Sequence, residues 1–187
     1  DTGLREVPNP SEVMLSGRPV NAPGTCVSCV MQGSRPILAE VQALLSPSNA
    51  NQSRRTANGI DFNRLMLLLT VLEKRGGVHV AGCDAYVNVV GGLELDEPAA
   101  DLAIALAIAS SIRDKPIGDD LAAIGEIGLA GEIRSVPSIN QRLQEITRLG
   151  FKRCVIPAHC KDDIKLPKGV QLLPAKNIRD AVTAIFI

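Results

Sequence analysis

The sequence predicts a mixed α/β (α+β) protein, folded as one domain. Three observations carry that prediction. Stretches rich in β-branched and small apolar residues, such as Thr25 to Met31 and Ala85 to Val90, are interleaved with separated helical segments. One of those helices, Ala99 to Arg113, is apolar almost all round, as a buried central helix must be. Helix ends are marked by capping residues and glycines, and no internal repeat or low-complexity segment interrupts the pattern.

The elements follow in order. Residues 1–24 carry Pro8, Pro10, Pro19 and Pro23 with Gly3, Gly17 and Gly24, and read as an extended lead-in wrapping onto the domain formed by residues 25–187. Thr25 to Met31 and Pro36 to Leu45 are strands joined at Gly33-Ser34. Ser46 to Ser53 is a polar loop, and Arg54 to Asn58 a short strand. Asp61 caps a helix from Phe62 to Arg75, closed by Gly76-Gly77, with Lys74 and Arg75 in the last turn, where they complement the helix dipole. Val78 to Ala81 and Ala85 to Val90 read as strands. Pro98 suits the first turn of the central helix. Ala122 to Ile127 and Glu132 to Val136 form a hairpin around Gly128–Gly131. Ser138 reads as the cap of a helix over Ile139 to Leu149. Arg153 to Ile156 and Val170 to Leu173 are strands, and Asn177 caps a last helix to Ile185.

Composition excludes several function classes. Lys plus Arg and Asp plus Glu are 20 each, so any nucleic-acid contact must use a local patch and many copies. Aromatics are 2% of the chain, too few for a base-stacking platform. No apolar run reaches a membrane-spanning length, and the start shows no signal-peptide pattern. Asp1 in place of Met suggests a natural start further upstream. The five cysteines (Cys26, Cys29, Cys83, Cys154, Cys160) make neither a disulfide framework nor a zinc site. Cys26 and Cys29 lie three apart in a strand and point to opposite faces. All five read as reduced thiols, which implies a reducing compartment.

Three motifs carry a resemblance: Val89-Val90-Gly91-Gly92 leading to Asp96-Glu97-Pro98-Ala99-Ala100-Asp101; Gly125 to Ile133 (GEIGLAGEI); and Val136-Pro137 opening a helix, followed by Gly150 to Pro157 (GFKRCVIP). With these the chain resembles the Lon-protease-like fold. The lead-in Gly3 to Glu12, Arg54-Arg55-Thr56-Ala57-Asn58-Gly59, Asn63-Arg64-Leu65 and Glu97 to Ala103 make it most similar to the C-terminal domain of the RadA/Sms DNA-repair family. The resemblance implies a domain that follows a zinc finger and a RecA-like ATPase core, so ATP, Mg and Zn belong upstream and no cofactor is expected in this chain. It implies a hexameric scaffold that contacts DNA in an ATP-driven motor for homologous recombination and branch migration, with the recombinase RecA as a suspected partner. No P-loop motif occurs here. The bacterial cytoplasm, or the matrix of a plant chloroplast or mitochondrion, would fit.

Peptidase chemistry of the Lon type needs a serine hydroxyl and a neutral lysine as its base. The resemblance puts Ala99 at the serine position and Arg142 at the lysine position. A methyl group cannot attack a carbonyl, and an arginine stays protonated near neutrality. Loss of a nucleophile typically costs on the order of 10⁶ in rate. Ser110 and Ser111 lie three turns along the central helix and read as structural. Asp96, Glu97 and Asp101 read as acids favouring a helix N-terminus. His79 and His159 are isolated in sequence, and neither is expected to serve catalysis or metal.

DNA affinity comes chiefly from cations set against phosphates. Arg54, Arg55 and Arg64 form the best cluster, with Arg55 and Arg64 favoured by the resemblance. Lys74 and Arg75 are secondary candidates beside their dipole role. Arg54 and Arg55 should alternate faces if they lie in a strand. Competing readings are an Asp61–Arg64 ion pair within one helix turn, or a bridge between subunits to Glu94 or Asp96. Two further functional readings stand beside the scaffold: a Lon-type Ser–Lys peptidase, and a pure assembly module without DNA contact.

Overall fold

The computed structural model describes residues 9–49, 51–165 and 167–186. The lead-in residues Gly3 to Pro8 lie outside this range. The rest of the lead-in is not wholly extended as expected: α1 (Pro10–Leu15) is a short helix, with Asn9 Oδ1 accepting the Ser11 amide at 3.1 Å. Proline in the first turn costs no helical hydrogen bond, which is why the segment can start there.

Strands β1 (Thr25–Gln32) and β2 (Arg35–Pro47) form an antiparallel pair. Then follow β3 (Arg55–Asn58), α2 (Phe62–Val71), β4 (Cys83–Val89) and α3 (Asp101–Arg113). The chain continues through β5 (Leu121–Ala123), β6 (Glu126–Ile127), β7 (Ile133–Arg134), α4 (Ile139–Arg148), β8 (Arg153–Pro157), β9 (Gln171–Ala175) and α5 (Ile178–Ala184). Seven strands make one mixed sheet in the order β3-β4-β2-β1-β5-β8-β9, and β6-β7 is a separate hairpin. The four strands β1, β5, β8 and β9 run parallel.

The sheet is the middle of three layers. On one face α3 lies centrally, with α2 and α5 beside it, over Val30, Val41 and Val87. On the other face α4 and Leu15 of α1 cover Val27, Cys29 and Leu38. Cys26 belongs to the first core and Cys29 to the second, as their spacing requires. Burial pushes both thiols up to about 12, so they stay protonated and inert. α3 is buried along ten consecutive residues, Asp101 to Ser110, in keeping with its nearly uniform apolarity.

Four local expectations need correction. The helix from Phe62 does not run evenly to Arg75. It is α-helical to Val71 and closes through a wider π turn, Leu72–Gly76, with Gly77 left-handed at φ 67°. Val78 to Ala81 is not a strand. Val78 and Val80 are buried, which produces the alternation, but the Glu73 carboxylate takes the amides of Val80 and Ala81 at 2.6 and 3.0 Å. A side chain thus replaces the ladder. Ala122 to Ile127 divides in two: β5 is an inner strand of the large sheet, and only β6 enters the hairpin with β7. Ser138 sits at φ 59° and makes no side-chain cap; only its carbonyl receives the Arg142 amide at 3.1 Å.

Close contacts mark two glycines, and at Gly24 the contact with backbone dictates the residue. A Cβ at Gly24 would lie 2.2 Å from the Ala43 carbonyl oxygen, and its φ is +83°. A Cβ at Gly128 would meet the Glu132 carboxylate at 1.7 Å, so a side chain there would displace that carboxylate from the turn.

Several carboxylates are held below their ordinary values by donors the fold supplies. Asp120 is lowered chiefly by its hydrogen bond from Arg153, and Glu73 chiefly by the amides of Ala81 and Val80. Burial alone raises Glu145, but bonds from Arg148 and Ser11 bring it net below its ordinary 4.5. Depressed acids contribute stability that is present above the unfolded-state value and lost as pH falls through the folded one. Stability is therefore expected to hold from neutrality to about pH 5 and to fall below about pH 4. A urea-unfolding series against pH checks this, and Glu145→Gln should flatten the acid limb.

Candidate functional site

The start of α3 is where three chain segments meet. Pro98 to Ala100 form one 3₁₀ turn before the α-helix begins at Asp101. The Ala99 carbonyl accepts the Gly125 amide at 3.0 Å, and the Gly125 carbonyl accepts the Leu102 amide at 3.1 Å. This exchange joins the two motifs, 96–101 and 125–133, that the sequence set apart. Ala99 is 2% exposed, and its methyl lies in the core beneath α4 with Val136 and Leu143.

Arg142 reaches the same region from α4. Its side chain is fully buried, at 0% exposure. Nε donates to the Pro137 carbonyl at 2.9 Å and Nη1 to the Cys29 carbonyl at 2.7 Å. Both terminal nitrogens bond the Glu97 carboxylate, with Nη2 to Oε2 at 2.8 Å. Glu97 Oε1 also accepts the Met31 amide at 2.7 Å. The guanidinium thus ties α4, the end of β1 and the approach to α3 together. Glu97 was expected to favour the α3 N-terminus through the helix dipole; here its carboxylate is the counter-ion of Arg142.

Arg64 and Asp101 make the second pair. The Arg64 guanidinium donates from Nε to Asp101 Oδ1 at 2.8 Å and from Nη2 to Oδ2. Asp101 is 1% exposed and also accepts the Ile127 amide at 3.0 Å. Burial pushes the Asp101 carboxyl up, opposed by those donors. Asp61 caps α2 through the Arg64 amide at 2.8 Å; its carboxylate does not take the guanidinium. The surrounding cavity, about 460 Å³, is lined by Asp61, Glu94, Asp96, Glu97 and Asp101 beside Arg64. Its acids make it a poor seat for phosphate.

The remaining candidate cations lie elsewhere. Arg54 lies ahead of β3 rather than in it as expected and is exposed, with its amide on Asp84 Oδ1 at 2.7 Å, and Arg55, the first residue of β3, is half-buried. Arg55 Nη1 donates to the backbone carbonyls of Cys83 and Arg54. It shares a shallow groove of about 180 Å³ with Lys74, Met66 and Thr70. Lys74 and Arg75 are exposed at the close of the π turn, and the Arg75 stem packs on Gly131. The structure therefore brings Arg55 and Lys74 together and leaves Arg64 in the acidic cavity.

Two clusters escaped the sequence reading. Ser11 Oγ donates to Glu145 at 2.7 Å and accepts the Leu38 amide at 3.0 Å, while Arg148 bonds Glu145 and Asn9. Ser135 Oγ and His159 Nε2 lie 2.7 Å apart. Their members are separated by 134 and 24 positions, and no periodicity links them. Among the described residues no group of His, Cys, Asp or Glu could hold a metal ion, and no helix is long and apolar enough to cross a membrane.

The junction of residues 96–101 with 125–133, capped by a helix after Val136-Pro137, is matched by a known family. Residues 81–186 match the Lon protease (S16) C-terminal proteolytic domain. The chain belongs to that Lon protease C-terminal domain family. This Lon-type chain is 49% identical over 182 residues to "DNA repair protein RadA" of Listeria monocytogenes, covering 97% of the chain and 40% of the relative. It is 48% identical to the protein of the same name in Bacillus subtilis, with the same coverage. Against that of Streptococcus pneumoniae it is 46% identical over 184 residues, 98% of the chain and 44% of the relative. The Lon-type domain thus corresponds to a Lon-like domain of RadA and spans about two fifths of the length of these relatives. They are bacterial, and the plant-organelle alternative gains no support from them.

Proposed function

We propose that this Lon-type domain carries no peptidase activity and serves a RadA-type DNA-repair motor as a ring-forming scaffold with a DNA-contacting face. The observation that carries the reading is the Arg142–Glu97 pair. A group meant to remove a proton must itself be unprotonated and reachable by substrate; arginine keeps its proton near neutrality, and the Arg142 side chain is sealed beneath α4. Ala99 beside it has no nucleophilic atom. The relatives' printed name supports work in DNA repair, and the proposal places it in the bacterial cytoplasm. Hexamer formation, ATP-driven branch migration and contact with RecA extend the same proposal.

Within it, the DNA face is drawn from Arg54, Arg55, Lys74 and Arg75. Arg64 is assigned to the Asp101 pair, because a phosphate there would face five carboxylates. Contacts of this kind position the backbone and read no sequence. Few cations per chain give weak binding, which several linked copies would multiply. The test is duplex-DNA affinity against salt for the wild type and for Arg55→Ala plus Lys74→Ala. The double variant should bind more weakly and lower the slope of log K against log salt by about 2. An unchanged affinity and slope would favour an assembly module without DNA contact. Turnover of a labelled unfolded protein by the wild type, lost in a site variant, would instead favour a peptidase.

A further inference from the structure

A cavity of about 770 Å³ opens between the β6–β7 hairpin and the turn after β8. Its polar lining is Glu126, Glu132, Arg134, Ser135, His159 and Lys176. Neither Ala99 nor Arg142 lines it, so it is separate from the degenerate centre at α3. Three elements deliver the groups. Ser135 follows β7 directly, His159 lies in the 3₁₀ turn 158–163, and Lys176 follows β9. The Ile133 amide on the Lys176 carbonyl at 3.0 Å and the Glu132–Asn177 bridge fix the hairpin against β9. Glu132 is engaged by the Ala130 amide and by Arg134, both at 3.3 Å.

We propose that Ser135 and His159 form a nucleophile–base pair that accepts acyl groups from small activated carboxylic esters. The 2.7 Å contact joins Oγ to Nε2, within the reach that proton removal requires. In the acylation step Oγ attacks the ester carbonyl carbon as its proton passes to Nε2. The Oγ–C bond forms, the C–O bond to the alcohol breaks, and the alcohol leaves with the proton from His159. Water then attacks the acyl-serine, gives a proton to Nε2 and releases the carboxylic acid as Ser135 recovers its own. Lys176 supplies positive charge in the same cavity for the oxyanion that develops.

The chain is treated with p-nitrophenyl acetate, and separately with a fluorophosphonate, and the labelled peptide is mapped. A burst of nitrophenolate, with one adduct at Ser135, is expected. Ser135→Ala abolishes the burst, and His159→Gln slows acylation about 100-fold. Both side chains are exposed, so unfolding temperatures should match the wild type and DNA affinity should stay unchanged. An adduct on another residue, release unaltered in Ser135→Ala, or no adduct at all overturns the assignment.

Discussion

Arg142→Ala is expected to destabilise the domain by about 3–5 kcal/mol, the range found when one partner of a buried pair is removed. The loss has three sources. Glu97, 24% exposed, keeps a charge without its counter-ion. The carbonyls of Pro137 and Cys29 lose their donors. A cavity opens beneath α4, in the core that holds Leu143 and Ile146. Urea unfolding measures the effect. Arg142→Met with Glu97→Gln should recover part of it, because packing is kept and the orphan charge removed. A loss below about 1 kcal/mol for Arg142→Ala, the scale of a surface ion pair, would show that the pair is not closed as described.

Arg64→Ala should have the second-largest effect, about 3 kcal/mol, because Asp101 at 1% exposure would be left charged and buried. The consequence reaches beyond α2: Asp101 also holds the Ile127 amide, so the hairpin end of β6 should lose protection from hydrogen exchange. Asp101→Asn should cost less, because an amide oxygen still accepts from Ile127. At a temperature where the variant stays folded, Arg64→Ala should leave DNA affinity near the wild-type value. A large drop in affinity with full stability would move Arg64 from the ion pair to the DNA face.

Much of the fold was legible because local chemistry agreed with tertiary packing. Asp61 and Asn177 cap the helices they were expected to cap, at 2.8 and 2.9 Å. The near-uniform apolarity of Ala99 to Arg113 foretold a buried central helix, and Asp101 to Ser110 are all buried. Cys26 and Cys29, expected on opposite faces of a strand, lie in the two cores on either side of the sheet. Legibility failed where a side chain took over a backbone's bonds. Glu73 terminates the amides of Val80 and Ala81, and nothing in the apolar spacing of 78–81 reveals that.

At the site, residue identity carried the absence of a hydroxyl at position 99 and of an amine at 142. It could not show where Arg142 and Arg64 would spend their charge. Their partners lie 45 and 37 positions away, and both were first read as acids placed for a helix dipole. The arginine cluster looked continuous along the chain because Arg54, Arg55 and Arg64 are near neighbours in sequence. Arg54 lies just ahead of β3 and is exposed, Arg55 opens the strand half-buried, and the helix carries Arg64 into acidic surroundings.

The clasp of Ser11 on Glu145 and on the Leu38 amide gives the lead-in a mechanical meaning. Tension applied to the chain ahead of Asn9 would be borne first by α1, then by the rim of α4, one helical turn from the guanidinium that pins Glu97. A fragment trimmed at Thr25 would forfeit that anchorage and leave a buried amide and an acid facing water.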